Sequence, residues 1–265
     1  AGNRSTKHGI LMDCHHGLNQ WCWGTCITKA EAGHRIRLRK AMQKDGALPH
    51  SWQGGDGKVL FLFVDGLGLG GALEDLFPFL LALAPTPLDA TLGVEGLPQS
   101  GTGQTALLTG ENAARLLGHH QGPFPSPRLR PLLAQGLYAW AKGKGLRVLH
   151  ANGYRPDYLR RATEGKRLLL SAFAQAARLA GLPLLPLGHP LALLPGFWED
   201  PYGAGAKAAA LARAFDLVVL EYWALDLAAH RHPESLPDRF RELTLFLQGF
   251  LAEGGVLLLA SDHGN

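Results

Sequence analysis

Residues 59–68 read VLFLFVDGLG, Val59 through Gly68. Six consecutive apolar residues, bounded by Lys58 and by a glycine turn, have the length of a strand and no polar face. Such a strand is buried on both sides, as in a parallel sheet covered by helices. Asp65 follows it directly, at the end where open α/β sheets place their sites. Further runs of this kind follow at 147–151, 217–221 and 256–260. Between them, apolar spacing predicts helices over 73–83, 105–117, 129–141, 169–180, 204–214 and 237–252. A Gly/Pro/His loop is expected at 118–127 and a Pro-rich irregular stretch at 182–201. Strands alternating with helices imply an α/β fold, with a mostly parallel sheet and helices on both faces.

Three strand ends carry metal-binding side-chain types. Asp65 follows the first strand, Asp226 and His230 follow the run at 217–221, and Asp262 and His263 follow the last. A lone Asp after a strand is ordinarily a turn or cap residue. Carboxylates and imidazoles recurring at separate strand ends form a mixed oxygen and nitrogen ligand set instead.

Four stretches, VLFLFVDGLG, PQSGTGQTALLTG, ALDLAAH and LLLASDHGN, together resemble the alkaline phosphatase superfamily. The pattern is most like the cofactor-independent phosphoglycerate mutases and related metalloenzymes. The resemblance spans roughly 58–265, with weak correspondence between about 126 and 205. It implies a metal-dependent phosphoryl-transfer enzyme, a phosphate-ester hydrolase or phosphomutase, acting on a small phosphorylated substrate. Two divalent ions are implied, zinc or manganese, with magnesium a further candidate. Asp65, Asp262 and His263 would ligate one, and Asp226 and His230 the other. The family usually has Gly before that second histidine; here it is Ala229.

The implied nucleophile is a Ser or Thr at a helix start, about ten residues before a glycine. Counting back from Gly110 gives Ser100, which would also be a metal ligand, with Thr102 as the rival. Coordination to a metal ion lowers a hydroxyl's pKa and makes it a nucleophile. A phospho-serine would then pass to water or to another hydroxyl. The short interval between Ser100 and Asp226 leaves only a small cap, about 126–205, which argues against simple transfer of the mutase activity. His119, His120 and Arg155 are candidate substrate contacts, with Arg160 and Arg161 nearby; solvated surface roles are the plain alternative. The family has a further metal-binding His beyond Asp-His-Gly-Asn, whereas this sequence stops at Asn265. The expectation is a C-terminally truncated chain; completion by His8 is the alternative.

Residues 1–57 read differently. They hold all three cysteines, Cys14, Cys22 and Cys26, and both methionines, Met12 and Met42. They also carry the whole net charge of +4, while 58–265 is balanced. A neutral body gives no reason to expect a nucleic-acid partner. The segment lacks lasting periodicity and is expected to be disordered or non-native, with Met42 a candidate start. Its Cys and His spacing, with His15 and His16, matches no common zinc finger. No secretory h-region is visible, and the apolar stretch 168–197 is interrupted by Arg178, His189 and repeated Pro and Gly. The expectation is no membrane partner and a cytoplasmic location, consistent with a cysteine-free body. The sequence assigns no oligomeric state.

Two other readings compete. Gly66, Gly68 and Gly71 match G-x-G-x-x-G after a strand, with Asp89 eighteen residues on, a dinucleotide-binding pattern of an oxidoreductase. Asp65 would set a negative charge beside that pyrophosphate. Alternatively, the chain is a degenerate, non-catalytic metal-binding module.

Overall fold

A computed structural model describes residues 28–29, 59–68, 79, 83, 85–164, 169–196 and 198–264. Its main sheet is built on β2 (Val59–Val64), with β6 (Leu217–Tyr222) and β7 (Val256–Ala260) parallel on either side. β3 (Val148–His150) lies parallel to β6 at one edge. β1 (Thr28–Lys29) pairs antiparallel with β7 at the other, giving the order β1-β7-β2-β6-β3. The protein is therefore α/β, with a mostly parallel sheet flanked by helices.

The alternation of side chains along β2 builds two cores. Leu60, Leu62 and Val64 join Val218, Leu220 and Tyr222 on one face. There they meet α7 (Pro201–Ala214), α8 (Ala224–Arg231) and α9 (Leu236–Ala252). Val59, Phe61 and Phe63 point to the other face with Val219. That face is covered by α1 (Ser100–Thr109), α3 (Arg130–Leu133), α4 (Leu137–Gly143) and α6 (Ala172–Leu179). Phe173 of α6 stacks on Phe63 with ring centroids 4.6 Å apart. Because both faces are covered, β2 must be apolar throughout, and all six of its residues are buried.

Several boundaries differ from expectation, each for a local reason. The helix expected over 105–117 begins at Ser100 and is split. Gly110, left-handed at φ 72°, caps α1, and Asn112 then caps α2 (Ala113–Leu117) by accepting from the Arg115 amide. The helix expected over 129–141 breaks before Leu137, with Gly136 in extended conformation as the α4 N-cap. Two helices were not anticipated, α5 (Pro156–Glu164) and α8, the second carrying Asp226 and His230. The helix expected over 73–83 falls almost entirely outside the described residues.

The interval expected as a cap, 126–205, is largely part of the core. It supplies β3 to the sheet, and α4 and α6 to the buried face. It also forms a second, two-stranded sheet, β4 (Gly153–Tyr154) with β5 (Leu185–Pro186), whose Leu185 joins the first core, and α5 follows β4. Of residues 1–57, Thr28 and Lys29 alone are described; Cys14, Cys22, Cys26, His8 and Met42 lie outside the described residues. Among the described residues no helix is long and apolar enough to cross a membrane.

Candidate metal centre

The sheet order delivers three side chains to one place. β2 lies between β6 and β7, so the turns leaving β2 and β7 are neighbours at their carboxyl ends. Asp65 leaves β2 and donates its amide to the Tyr222 carbonyl at 2.9 Å. Ser261 ties the neighbouring turn down, its hydroxyl accepting from the Leu67 amide at 3.1 Å and donating to the His263 carbonyl at 3.0 Å. Asp65, Asp262 and His263 thereby present ligand atoms within 4.8 Å of one another.

Helix α1 completes the cluster. The Ser100 hydroxyl lies 3.1 Å from His263 Nε2 and 3.4 Å from Asp65 Oδ1. Gly103 permits this approach, since a Cβ there would stand 2.8 Å from the Asp262 Cβ. Thr102 is placed differently. Its hydroxyl donates to the Gln99 carbonyl at 3.0 Å and accepts from the Gln121 amide at 3.2 Å, which fastens α1 to the following loop.

Three oxygens converge on His263 Nε2: Ser100 Oγ at 3.1 Å, Asp65 Oδ1 at 3.4 Å and Asp262 Oδ2 at 3.7 Å. One imidazole nitrogen cannot donate to three acceptors. A Ser-His-Asp relay would also set its aspartate on Nδ1, away from the serine. The spacing instead suits a cation, because ligands about 2.0–2.1 Å from a tetrahedral zinc stand about 3.3 Å apart. Both carboxyl oxygens of Asp262 are buried, and neither makes a well-aligned hydrogen bond. Burial pushes the Asp262 carboxyl up to about 7; backbone amides and the neighbouring Asp65 carboxyl oppose this, and the charge of Asp226 adds to it. Burial likewise raises Asp65 well above the carboxylate range, with the facing Asp262 charge next in importance and His263 opposing. Two buried carboxyls set this close together beside an imidazole fit a divalent ion.

Asp226 and His230 stand at the margin. Asp226 is in the first turn of α8, close enough for its charge to raise both buried carboxyls. His230 is one turn on, with its side chain 66% exposed and Nε2 3.4 Å from Asp226 Oδ1. Among the described residues they are not part of the compact ligand group. The other candidates make contacts of their own. His119 is exposed, His120 places Nε2 3.2 Å from the Val94 carbonyl, and Arg155 is exposed with its guanidinium 3.6 Å from Asp157.

Four residues of the site region escaped the sequence reading. Gln104 and Ser261 hold the ligand turns in place. Glu221 and His150 form a second buried polar cluster on the same sheet. Two had a visible signal: Gln104 stands one helical turn after Ser100, and Ser261 directly precedes Asp262 in LLLASDHGN. The dinucleotide pattern finds little support: Asp89 accepts from the Thr91 amide and hydroxyl within a turn, and it does not end a strand. Gly71 lies outside the described residues. No protein-family model, no curated protein and no solved structure matches the chain.

Proposed function

We propose that this chain is a divalent-metal-dependent phosphoryl-transfer enzyme of the alkaline phosphatase type, with Ser100 as its nucleophile. The observation that carries this reading is the convergence of Ser100 Oγ, Asp65 and Asp262 on one nitrogen of His263. Asp65, Asp262 and His263 would hold one ion, with Ser100 as a fourth ligand. Asp226 and His230 are the candidates for a second. A bound divalent ion lowers the serine hydroxyl's pKa and neutralises charge on a phosphoryl oxygen.

The chain's own residues do the rest. Asp65 and His263 orient the Ser100 hydroxyl, and the N-terminus of α1 favours an anion in front of it. The Ser100 oxygen bonds to phosphorus as the ester oxygen leaves, and the proton lost by Ser100 ends on the departing alcohol. Water then cleaves the phospho-serine, restoring the hydroxyl and releasing phosphate. Transfer to a second hydroxyl instead of water would make the enzyme a phosphomutase. Thr102 is the less suitable nucleophile, since its hydroxyl is engaged with backbone on both sides.

The test loads chelated protein with zinc or manganese and follows metal content by mass spectrometry beside p-nitrophenyl phosphate turnover. Expected are metal retention in the wild type, metal loss in Asp65→Ala and Asp262→Ala, and turnover abolished in Ser100→Ala. Unchanged metal content in both aspartate variants would remove the reading. Tight metal binding without turnover of any phosphate ester would favour a non-catalytic metal module.

A further inference from the structure

Helix α1 contributes two side chains to Asp65, not one. Ser100 and Gln104 are separated by one helical turn and so share a face of α1. The Ser100 hydroxyl donates to Asp65 Oδ1 at 3.4 Å, and Gln104 Nε2 donates to Asp65 Oδ2 at 3.3 Å. The far side of the Gln104 amide is fixed too. Its Oε1 accepts from the Ala172 backbone amide at 3.2 Å. Ala172 is the first residue of α6, where a backbone N–H has no partner within its own helix. That N–H can only donate, so the Gln104 carbonyl must face it and the NH2 must face Asp65. Gln104 is 2% exposed, so water does not compete for either bond.

We infer that Gln104 is a positioning residue: it occupies Asp65 Oδ2, locks the carboxylate plane, and leaves Oδ1 to face Ser100 and His263. The inference rests on the proposed metal-dependent reading of the site. Asp65 Oδ1 stands 3.4 Å from His263 Nε2. Without the amide, the carboxylate is free to turn about its last torsion, which is broad and roughly two-fold. An oxygen that must be found by rotation binds a cation less well than one already aimed.

A purely structural role for Gln104, tying α1 to α6, would affect stability alone. The experiment therefore reads the metal itself. Cobalt(II) is titrated into chelated wild type, Asp65→Ala and Gln104→Met, with the visible d–d absorption as the signal and thermal unfolding in parallel. Gln104→Met keeps length and apolar volume but has no donor. The inference expects one cobalt band in wild type, no band in Asp65→Ala, and a band in Gln104→Met with altered shape and roughly 10–100-fold weaker affinity. Should Gln104→Met fail to fold, Gln104→Asn takes its place; it keeps the amide but cannot span from Asp65 to Ala172, and the same weakening is expected. Wild-type affinity and band shape in the folded Gln104 variant, whatever its melting temperature, would overturn the inference and leave the metal reading standing. No cobalt band in wild type, or one that survives Asp65→Ala, would overturn both.

Discussion

Two buried histidine–carboxylate clusters lie on this sheet, and they solve the cost of burial in opposite ways. Around His150 the polar groups satisfy one another. Tyr138 OH lies 2.7 Å from His150 Nδ1, and Tyr154 OH lies 2.7 Å from His150 Nε2. Glu221 Oε1 accepts from Ser171 at 3.0 Å and from Tyr154 at 3.4 Å. Burial pushes His150 down to about 3, so the imidazole is neutral and one nitrogen donates while the other accepts. Around His263 the acceptors outnumber the donors, and neither Asp262 oxygen makes a well-aligned hydrogen bond. Unsatisfied buried polar groups are costly, so they persist where something outside the chain completes them. The closed cluster is read as structure and the open one as a site.

The largest expected effect breaks the open cluster. Asp262→Asn keeps the volume of the side chain and removes the charge that a cation needs. Zinc or cobalt affinity should fall by more than about 100-fold, because a fixed anionic ligand is lost. The metal-free protein should become more stable at neutral pH, since an unpaired buried carboxylate is destabilising. Calorimetric metal titration and urea unfolding of chelated protein measure the two quantities. A variant that binds metal normally and unfolds more easily would make Asp262 a structural residue, and the contrast between the clusters would disappear.

The next effect belongs to the closed cluster and appears as a pH dependence. Burial pushes the Glu221 carboxyl up to about 7 from its ordinary 4.5. Between those values the folded state holds a proton that the unfolded state has released, so stability falls as pH rises. Glu221 thus lowers stability by an amount that grows through this window and is complete above about pH 7, on the order of 3 kcal/mol. Glu221→Gln keeps a carbonyl for Ser171 and Tyr154 and cannot ionise. In chelated protein its urea midpoint at pH 8 should exceed wild type, and its decline from pH 5 to 8 should be shallower by Glu221's share. Parallel pH profiles for the two proteins would contradict the assignment.

The sheet was legible in the sequence because strands buried on both faces are apolar at every position. VLFLFV and VLLLA announce themselves, and their last residues point to Asp65 and Asp262. A helix start at Ser100 came only with the resemblance; apolar spacing set it at 105, five residues late. Glu221 was not, because a single acid at the end of LVVLEY reads as an ordinary strand terminus. Its partners His150 and Ser171 come from distant parts of the chain, and no local pattern links them. The cap was misjudged for a related reason. The run at 147–151 reads as a strand, but the sequence does not say that it pairs with β6, and that pairing draws α4 and α6 into the core. Gln104 was overlooked because its role depends on the Ala172 amide, 68 positions away.

The smallest effect tests whether the two clusters are independent. Tyr138 is fully buried, and its hydroxyl serves His150 Nδ1. Because Tyr154 OH donates to Glu221, its oxygen is left to accept from His150 Nε2–H. His150 Nδ1 must then be the acceptor, and Tyr138 its donor. Tyr138→Phe keeps the ring that meets the imidazole edge-on and deletes only the hydroxyl. Moving the His150 proton to Nδ1 does not repair the loss, because that nitrogen would then donate to nothing. One buried nitrogen is stranded either way, at a cost of about 1–3 kcal/mol. The expected outcome is a lower urea midpoint with cobalt affinity and d–d band unchanged, because Tyr138 touches no proposed ligand. A shift in the cobalt band would show that the chain of contacts from His150 through Glu221 and Ser171 to the α6 N-terminus reaches Gln104 and Asp65. The closed cluster would then be part of the metal site's support rather than a separate piece of core.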